Sequence, residues 1–476
     1  MLMLVFCFKI SSEIFLNRNK VFVYISLTIN LFSIQITSCF AQLTTLINQG
    51  ATIRTMPGST VRVSGSVLNN SNGKVFINAN SSTDVSKWYV SQNFTNHSQP
   101  STTNQTTITC DGHIYLKGDW INNGTFSYTT SPSNFNSSTV FLEGASQILS
   151  GSTATVFYNL TLQGTGVKKQ TINKSCANIL ALNNLELNTD VYTFFVLNPA
   201  VGAITRNPAQ IQNVEGFVSS AIGGKLSRAT NSTGTYLFPV GSISNLSTNV
   251  ATVSTDDDRY RPVEIIPTSI TSSAYTVRMA NLDATTETFD RSLTFPTICS
   301  TNANFYHQIN RSSGSADSDI KIYYWPANDG DWQGLARWNL ITSPADNKWN
   351  AISGSTIAAS TSPFSVATIS NWNNFLATPY ILYNIKPSVS VACSNICSGF
   401  TTSVTATPSP SGTYNYSWTV PSGFTPAPGN TATFSSGVGG NYSVVITDPV
   451  TNCTSASSSC SFVVNQPPSI NAISPP

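Results

Sequence analysis

Four of the nine cysteines crowd into the last quarter of the chain, Cys393, Cys397, Cys453 and Cys460, and two chemistries suit such a cluster. Zinc is the weaker one, because the first pair is four residues apart and the second seven, looser than a zinc knuckle. Disulfides are expected instead. Three connectivities are open, and nesting favours Cys393 with Cys460 and Cys397 with Cys453, which joins the first strand of a small domain to its last. Cys110, Cys176 and Cys299 are scattered singly, and Cys7 and Cys39 fall within the first 41 residues.

Acid–base chemistry has little material. The three histidines, His97, His113 and His307, have no companion ligands in sequence, and no Gly-x-Ser-x-Gly elbow, P-loop or His-Glu-x-x-His occurs. Two carboxylates on a repetitive β face, such as Asp111 and Asp119, could cleave a polysaccharide only at the right separation. Asp256-Asp257-Asp258 and Asn328-Asp329-Gly330-Asp331 offer oxygens to calcium but lack the spaced ligands and closing Glu of a calcium loop, so they read as solvated turns. No cofactor is expected. Sugar binding is better supplied, since Trp325, Trp332, Trp338, Trp349 and Trp372 all lie between residues 226 and 387. As a set they read as core among small Ser, Thr and Ala residues. Within it, Trp332 and Trp349 sit beside Asp331 and Lys348 in turn-like sequence and are the candidate glycan contacts, since a sugar's apolar face stacks on an exposed ring.

The elements that position these groups are strands. Short runs rich in Val, Ile, Thr, Phe and Tyr alternate with Gly, Asn, Ser and Pro clusters, and no segment after residue 41 sustains a helical period. Thr60-Val61-Arg62-Val63-Ser64, Ile320-Lys321-Ile322-Tyr323-Tyr324 and Tyr442-Ser443-Val444-Val445-Ile446-Thr447 each alternate by two and can bury one face. Only 9% of residues are charged against roughly 25% in ordinary domains, yet 40% are hydrophobic, so the chain can fold. The net charge of +2 excludes the electrostatic case for nucleic acid.

The N-terminus carries Lys9, Arg18 and Lys20, an apolar run from Val21 to Ile34, and small residues up to Ala41. This pattern predicts a signal peptide over 1–41, cleaved after Ala41, and therefore an extracellular or outer-surface location. The run is short for a transmembrane helix. Ile36-Thr37-Ser38-Cys39 also fits a lipoprotein box that would lipidate Cys39.

Beyond it, residues 42–225 read as an irregular β-solenoid, in which Asn69-Asn70, Asn122-Asn123 and Asn183-Asn184 each close a short strand after an apolar step. Residues 226–387 read as a β-sandwich and 388–465 as an immunoglobulin-like sandwich, with 466–476 a Pro-rich linker of the kind that opens another module, which suggests a truncated chain. The fold class is thus all-β.

Ile114-Tyr115-Leu116-Lys117-Gly118-Asp119-Trp120-Ile121-Asn122-Asn123-Gly124-Thr125-Phe126, then Thr139-Val140-Phe141-Leu142-Glu143-Gly144 and Phe157-Tyr158-Asn159-Leu160, resemble a recurrent stretch of large Bacteroidota-type secreted surface proteins. Gly216-Phe217-Val218, Gly224-Lys225-Leu226, Phe238-Pro239-Val240-Gly241 and Tyr260-Arg261-Pro262-Val263 follow in the order of the module that comes next in them. The resemblance implies type IX export and a link to adhesion or gliding. Tyr416-Ser417-Trp418 followed by Gly440-Asn441-Tyr442-Ser443-Val444-Val445-Ile446-Thr447-Asp448 is similar to PKD repeats, which implies a buried Trp418, a late-strand Tyr442 and a spacer or adhesive role without catalysis. The double cysteine pair departs from the simplest such repeats. The functional expectation is a non-catalytic surface structural or adhesion protein, with surface polysaccharide or other cell-surface proteins as partners. The alternatives are a glycan-binding accessory protein and a polysaccharide-cleaving enzyme.

Overall fold

The structure, a computed structural model, describes residues 45–468 apart from 98–105, 130–137, 208–214, 243–258, 340–346 and 376–378. Before residue 45 it describes only the strands Leu16–Asn17, Lys20–Val21, Ile34–Ile36 and Gln42–Leu43. The cleavage point after Ala41, Cys39, the acidic run 256–258 and residues 469–476 lie outside the described residues.

The alternating patterns form strands as expected. Thr60–Val63 buries Val61 and Val63 and turns Arg62 outward. Successive strands then wind into coils with three faces, one strand per face, and each strand pairs parallel and in register with its counterpart in the coil below. Thus Lys87–Val90 pairs with Thr60–Val63 on one side and His113–Leu116 on the other. Two of the faces are eight-stranded sheets, and one of them carries Asn69-Asn70 and Asn122, with Asn123 just past its strand. Asn183 closes a strand of a different face. On the remaining face, strands begin at residues 52, 74, 107 and 125, so one coil takes 33 residues (74 to 107) and the next only 18 (107 to 125). The repeat is regular in space and irregular in sequence, because extra residues leave as loops between short strands.

Asparagines fix the register of this stack from inside. Asn48, Asn69, Asn96 and Asn122 point inward from four consecutive coils and are buried. Asn48 Nδ2 donates to Asn69 Oδ1 at 2.9 Å, Asn69 to Asn96 at 3.0 Å and Asn96 to Asn122 at 2.9 Å. The same amides reach main-chain carbonyls, as Asn96 does at Thr125 O, 3.1 Å. Gly73 makes room for them, since a Cβ there would stand 2.3 Å from Asn69 Oδ1 and 2.6 Å from Asn48 Nδ2. A buried amide left unpaired costs about 1–3 kcal/mol. Asn96→Ala orphans groups on both sides and is expected to lower unfolding free energy by about 3 kcal/mol in urea titration, whereas outward-facing Thr95→Ala should change it by less than about 0.5 kcal/mol. Equal effects would mean that the ladder carries no stability.

No linker separates the solenoid from the next domain. The face carrying Thr155–Phe157, Lys174–Cys176 and Thr193–Val196 continues parallel into Lys225–Thr230, whose far edge pairs antiparallel with Ser273–Ala280. The strand Lys225–Thr230 thus belongs to both domains, and a boundary at 225/226 runs through it. From there the sheet extends through Tyr306–Ser313, Pro379–Ile385 and Gly334–Asn339 to its edge at Lys348–Ala351. A second, antiparallel sheet of Tyr236–Phe238, Val263–Pro267, Ser318–Tyr324, Ser365–Trp372 and Thr356–Ala359 completes a sandwich. One apolar cluster runs unbroken from Val61 to Leu382. The sandwich caps the open end of the coil stack, which would otherwise leave the core of its last coil in water.

The C-terminal unit is a small two-sheet sandwich. Ser388–Ala392, Thr402–Ser409 and Thr433–Ser436 face Asn415–Thr419, Gly440–Thr447 and Ser458–Phe462. Tyr442 is fully buried, while Trp418 is only half-buried between its two core clusters. Cys393 bonds Cys460, first strand to last. The second expected pairing is corrected: Cys453 bonds Cys299 of the middle sandwich, and Cys397 is a free, exposed thiol. The reason is local. The turn after Gly440–Thr447 carries Cys453 buried toward the middle sandwich, where Gln333 Nε2 also reaches Asp448 Oδ2 at 3.4 Å. Cys397 lies in a strand paired with Val464–Asn465.

Candidate ligand-binding site

The expected glycan contacts are not brought together. Trp349 is 0% exposed, so it cannot stack on a sugar. It sits on a hairpin strand directly opposite Trp338, ring centroids 5.3 Å apart, in a cluster with Phe289 and Tyr306. The sequence Lys348-Trp349-Asn350 is an alternating strand, with its polar neighbours on the other side. Trp332 is half-buried against the main core and donates from Nε1 to Asp329 O at 2.9 Å.

The acidic turn beside it serves another purpose. Asp329 takes Arg261 Nε at 2.5 Å on Oδ2 and Nη2 at 2.8 Å on Oδ1, and Trp325 N–H donates to the same Oδ2 at 2.8 Å. Its carboxylate is spent on a buried guanidinium, and Asp331 is exposed. Asp111 accepts from Thr129 N–H and hydroxyl at 2.6 and 2.9 Å, and Asp119 accepts from Ile148 N–H at 2.8 Å. The two aspartates flank opposite ends of His113–Leu116. The ends of that strand lie roughly 10 Å apart over three steps of about 3.3 Å, and each carboxylate is held by its own donors.

Histidines are dispersed. His113 lies outward, Nδ1 3.3 Å from the Tyr115 hydroxyl, His97 is exposed, and His307 is buried with Nε2 2.8 Å from Arg261 O. Burial pushes the His307 pKa down to about 4 and the Cys110 and Cys176 thiols up to about 12, so neither thiol is a nucleophile near neutral pH. Two lysines point into the solenoid. Lys168 Nζ donates to the carbonyls of Gly144, Ala145 and Thr165 at 2.6, 2.8 and 3.1 Å, and burial lowers its pKa to about 8. This ammonium closes a turn. Among the described residues no cluster of His, Cys, Asp and Glu is arranged to hold a metal ion.

Two of the aromatic surfaces among the described residues bear on ligand binding. On one solenoid face Tyr89, Tyr115 and Phe141 stack in register, centroids 4.6 and 4.4 Å apart with planes within 9°, and Arg62 covers Tyr89 at 4.2 Å. These rings hide their faces against one another and leave edges to solvent, which disfavours sugar stacking. The second surface was missed by sequence reasoning. A concavity of about 210 Å³ lies where the paired strands Gly334–Asn339 and Lys348–Ala351, at the edge of one sheet of the middle sandwich, meet the end of Ser365–Trp372 in the other, lined by Arg337, Asn339, Asn350, Ile352, Ser353 and Trp372. Arg337, Asn339 and Asn350 share one face, since Arg337 pairs in register with Asn350. The guanidinium lies 5.4 Å from the centroid of the Trp372 ring, and Trp372 Nε1 is held by the Tyr380 hydroxyl at 2.8 Å. The signal available was the alternation of Arg337-Trp338-Asn339, which puts the polar residues opposite the buried Trp338.

No family model, curated protein or solved structure matches this chain.

Proposed function

We propose that this chain is a non-catalytic part of an exported surface protein, a stiff spacer that holds its C-terminal sandwich in a fixed attitude for adhesion. The carrying observation is the apolar core continuous from Val61 to Leu382, with the C-terminal sandwich bonded covalently to it through Cys299–Cys453. Domains meant to move meet at small polar interfaces, and this chain instead shares a strand between its first two domains. Two disulfides fit an oxidising compartment, and no described helix is long and apolar enough to cross a membrane. The predicted leader over 1–41 supplies the export route, with lipidation at Cys39 as an alternative anchor. Low charge suits the reading, because tight turns between many short strands favour Ser, Thr and Asn over Lys and Glu.

The likeness to Bacteroidota-type surface proteins and PKD repeats supports the same conclusion. So does the Tyr442 hydroxyl, which donates to Val438 O at 2.6 Å, four residues upstream, in the manner of the tyrosine corner of immunoglobulin-type sandwiches. Deleting the gene is expected to reduce cell attachment to a surface severalfold while leaving polysaccharide degradation unchanged. Normal attachment with lost degradation overturns the proposal.

A further inference from the structure

We propose that the concavity between the two sheets of the middle sandwich binds one carboxylated sugar unit of an acidic polysaccharide, with Arg337 pairing the carboxylate and Trp372 packing against the ring. The site adds a ligand to the scaffold and does not depend on an adhesive role.

Size comes first. A drug-sized ligand fills roughly 300–1,000 Å³, so a concavity of about 210 Å³ admits one ring-sized unit of a longer chain whose remainder stays in solvent. The site lies between Lys348–Ala351, the edge strand of one sheet, and the C-terminal end of Ser365–Trp372 in the other, and is open to solvent.

Charge and donor chemistry then narrow the class. Arg337 Nη2 donates to Asn339 Oδ1 at 3.0 Å, while Nη1 is buried without a hydrogen-bond partner among the described residues. A buried cationic N–H without an acceptor costs about 1–3 kcal/mol or more, and an incoming carboxylate relieves that cost with a charge-assisted bond. Among the described residues no Asp or Glu lines the concavity. Lys348 pairs in register with Asn339 and adds a second positive charge on the same face. The other lining polar groups, Asn339, Asn350 and Ser353, are neutral donors and acceptors that match hydroxyls. A phosphate ligand would call for several convergent cations or a cradle of backbone N–H groups. One guanidinium, three neutral hydrogen-bonding side chains and an immobilised indole suit a uronic acid.

Trp372 is fixed as well as present. Its indole N–H is committed to Tyr380, whose hydroxyl in turn donates to Asn374 O at 3.3 Å, so the ring is preorganised before a ligand arrives. Trp332, whose Nε1 is likewise held by Asp329 O, and the fully buried Trp349 do not line the concavity.

The test is a titration of the full chain, followed by tryptophan fluorescence and calorimetry. The probes are trisaccharides of galacturonate, guluronate and glucuronate, against the neutral trisaccharide maltotriose. At least one uronate trisaccharide is expected to bind saturably and at least tenfold more tightly than maltotriose. R337Q should weaken that binding at least tenfold with its melting temperature unchanged, and N350A severalfold. W372A should abolish the fluorescence response, and N350A stands in for it should W372A fail to fold. Equimolar acetate should not displace the sugar. Absence of binding by all three uronates, equal binding of maltotriose, an unaffected R337Q, or displacement by acetate each overturns the proposal.

Discussion

Replacing both Cys299 and Cys453 by serine is expected to split one cooperative unfolding transition into two and to expose the chain near 385–388 to protease. This bond closes a loop with a sequence separation of 154. In the chain-entropy account a loop of that length restrains the unfolded state by about 5 kcal/mol. Gln333 reaches across the same junction to Asp448 at 3.4 Å and is anchored on the middle-sandwich side by accepting from Ile385 N–H at 2.7 Å. Without the bond, the small sandwich keeps its own Cys393–Cys460 link and should still fold, but as an independent unit. Urea titration followed by tryptophan fluorescence reads the number of transitions. A single transition with an unchanged midpoint in the double variant would show that noncovalent contacts suffice.

Breaking the Arg261–Asp329 pair should be nearly as damaging. Both side chains are almost fully excluded from solvent. Arg261 also donates from Nη1 to Tyr260 O at 2.9 Å. Asp329→Ala leaves a buried guanidinium without its counter-charge, which costs about 3–5 kcal/mol. The pair is not thereby shown to be a net stabiliser, since matched apolar groups often do as well. The R261M/D329L double variant is therefore expected to recover much of what the single variant loses, and a single-variant loss below about 1 kcal/mol would contradict the assignment.

The same place responds to acid. His307 Nε2 meets Arg261 O at 2.8 Å, and burial lowers its pKa from 6.5 to about 4. Between those values the unfolded chain binds a proton that the folded chain refuses. Stability is therefore complete above about pH 6.5 and declines as pH falls toward 4, by as much as about 3 kcal/mol. In H307Q the slope over that window should flatten.

Strand positions and faces were legible because alternation is a local property. Thr60–Val63 and Ile320-Lys321-Ile322 show their buried side in the residues themselves. Pairing direction and coil closure were not legible, because they depend on partners 18 to 33 residues away through loops of unequal length. The Asn pairs carried real information at Asn69 and Asn122 and misled at Asn183, which has positive φ and closes a strand on another face. Trp349 was misjudged from its neighbour Lys348, although Trp338 and Trp349 flank a Ser-Pro-Ala-Asp-Asn turn cluster and could have been read as facing positions of a hairpin. Disulfide reasoning within one domain found Cys393–Cys460 and missed Cys299, whose partner lies in another domain. The concavity at Arg337 and Trp372 joins two sheets, and no spacing along the chain encodes that meeting.

The Cys299–Cys453 bond has a mechanical consequence. When the C-terminal end is pulled, tension passes from Cys453 directly to Cys299 and bypasses everything between them. At about 3.5 Å per residue, roughly 500 Å of contour length is locked away from extension. The middle sandwich strands after Cys299, the connection at 386–387 and most of the terminal sandwich are thus off the load path, and a ligand held at Arg337 would not feel the pull.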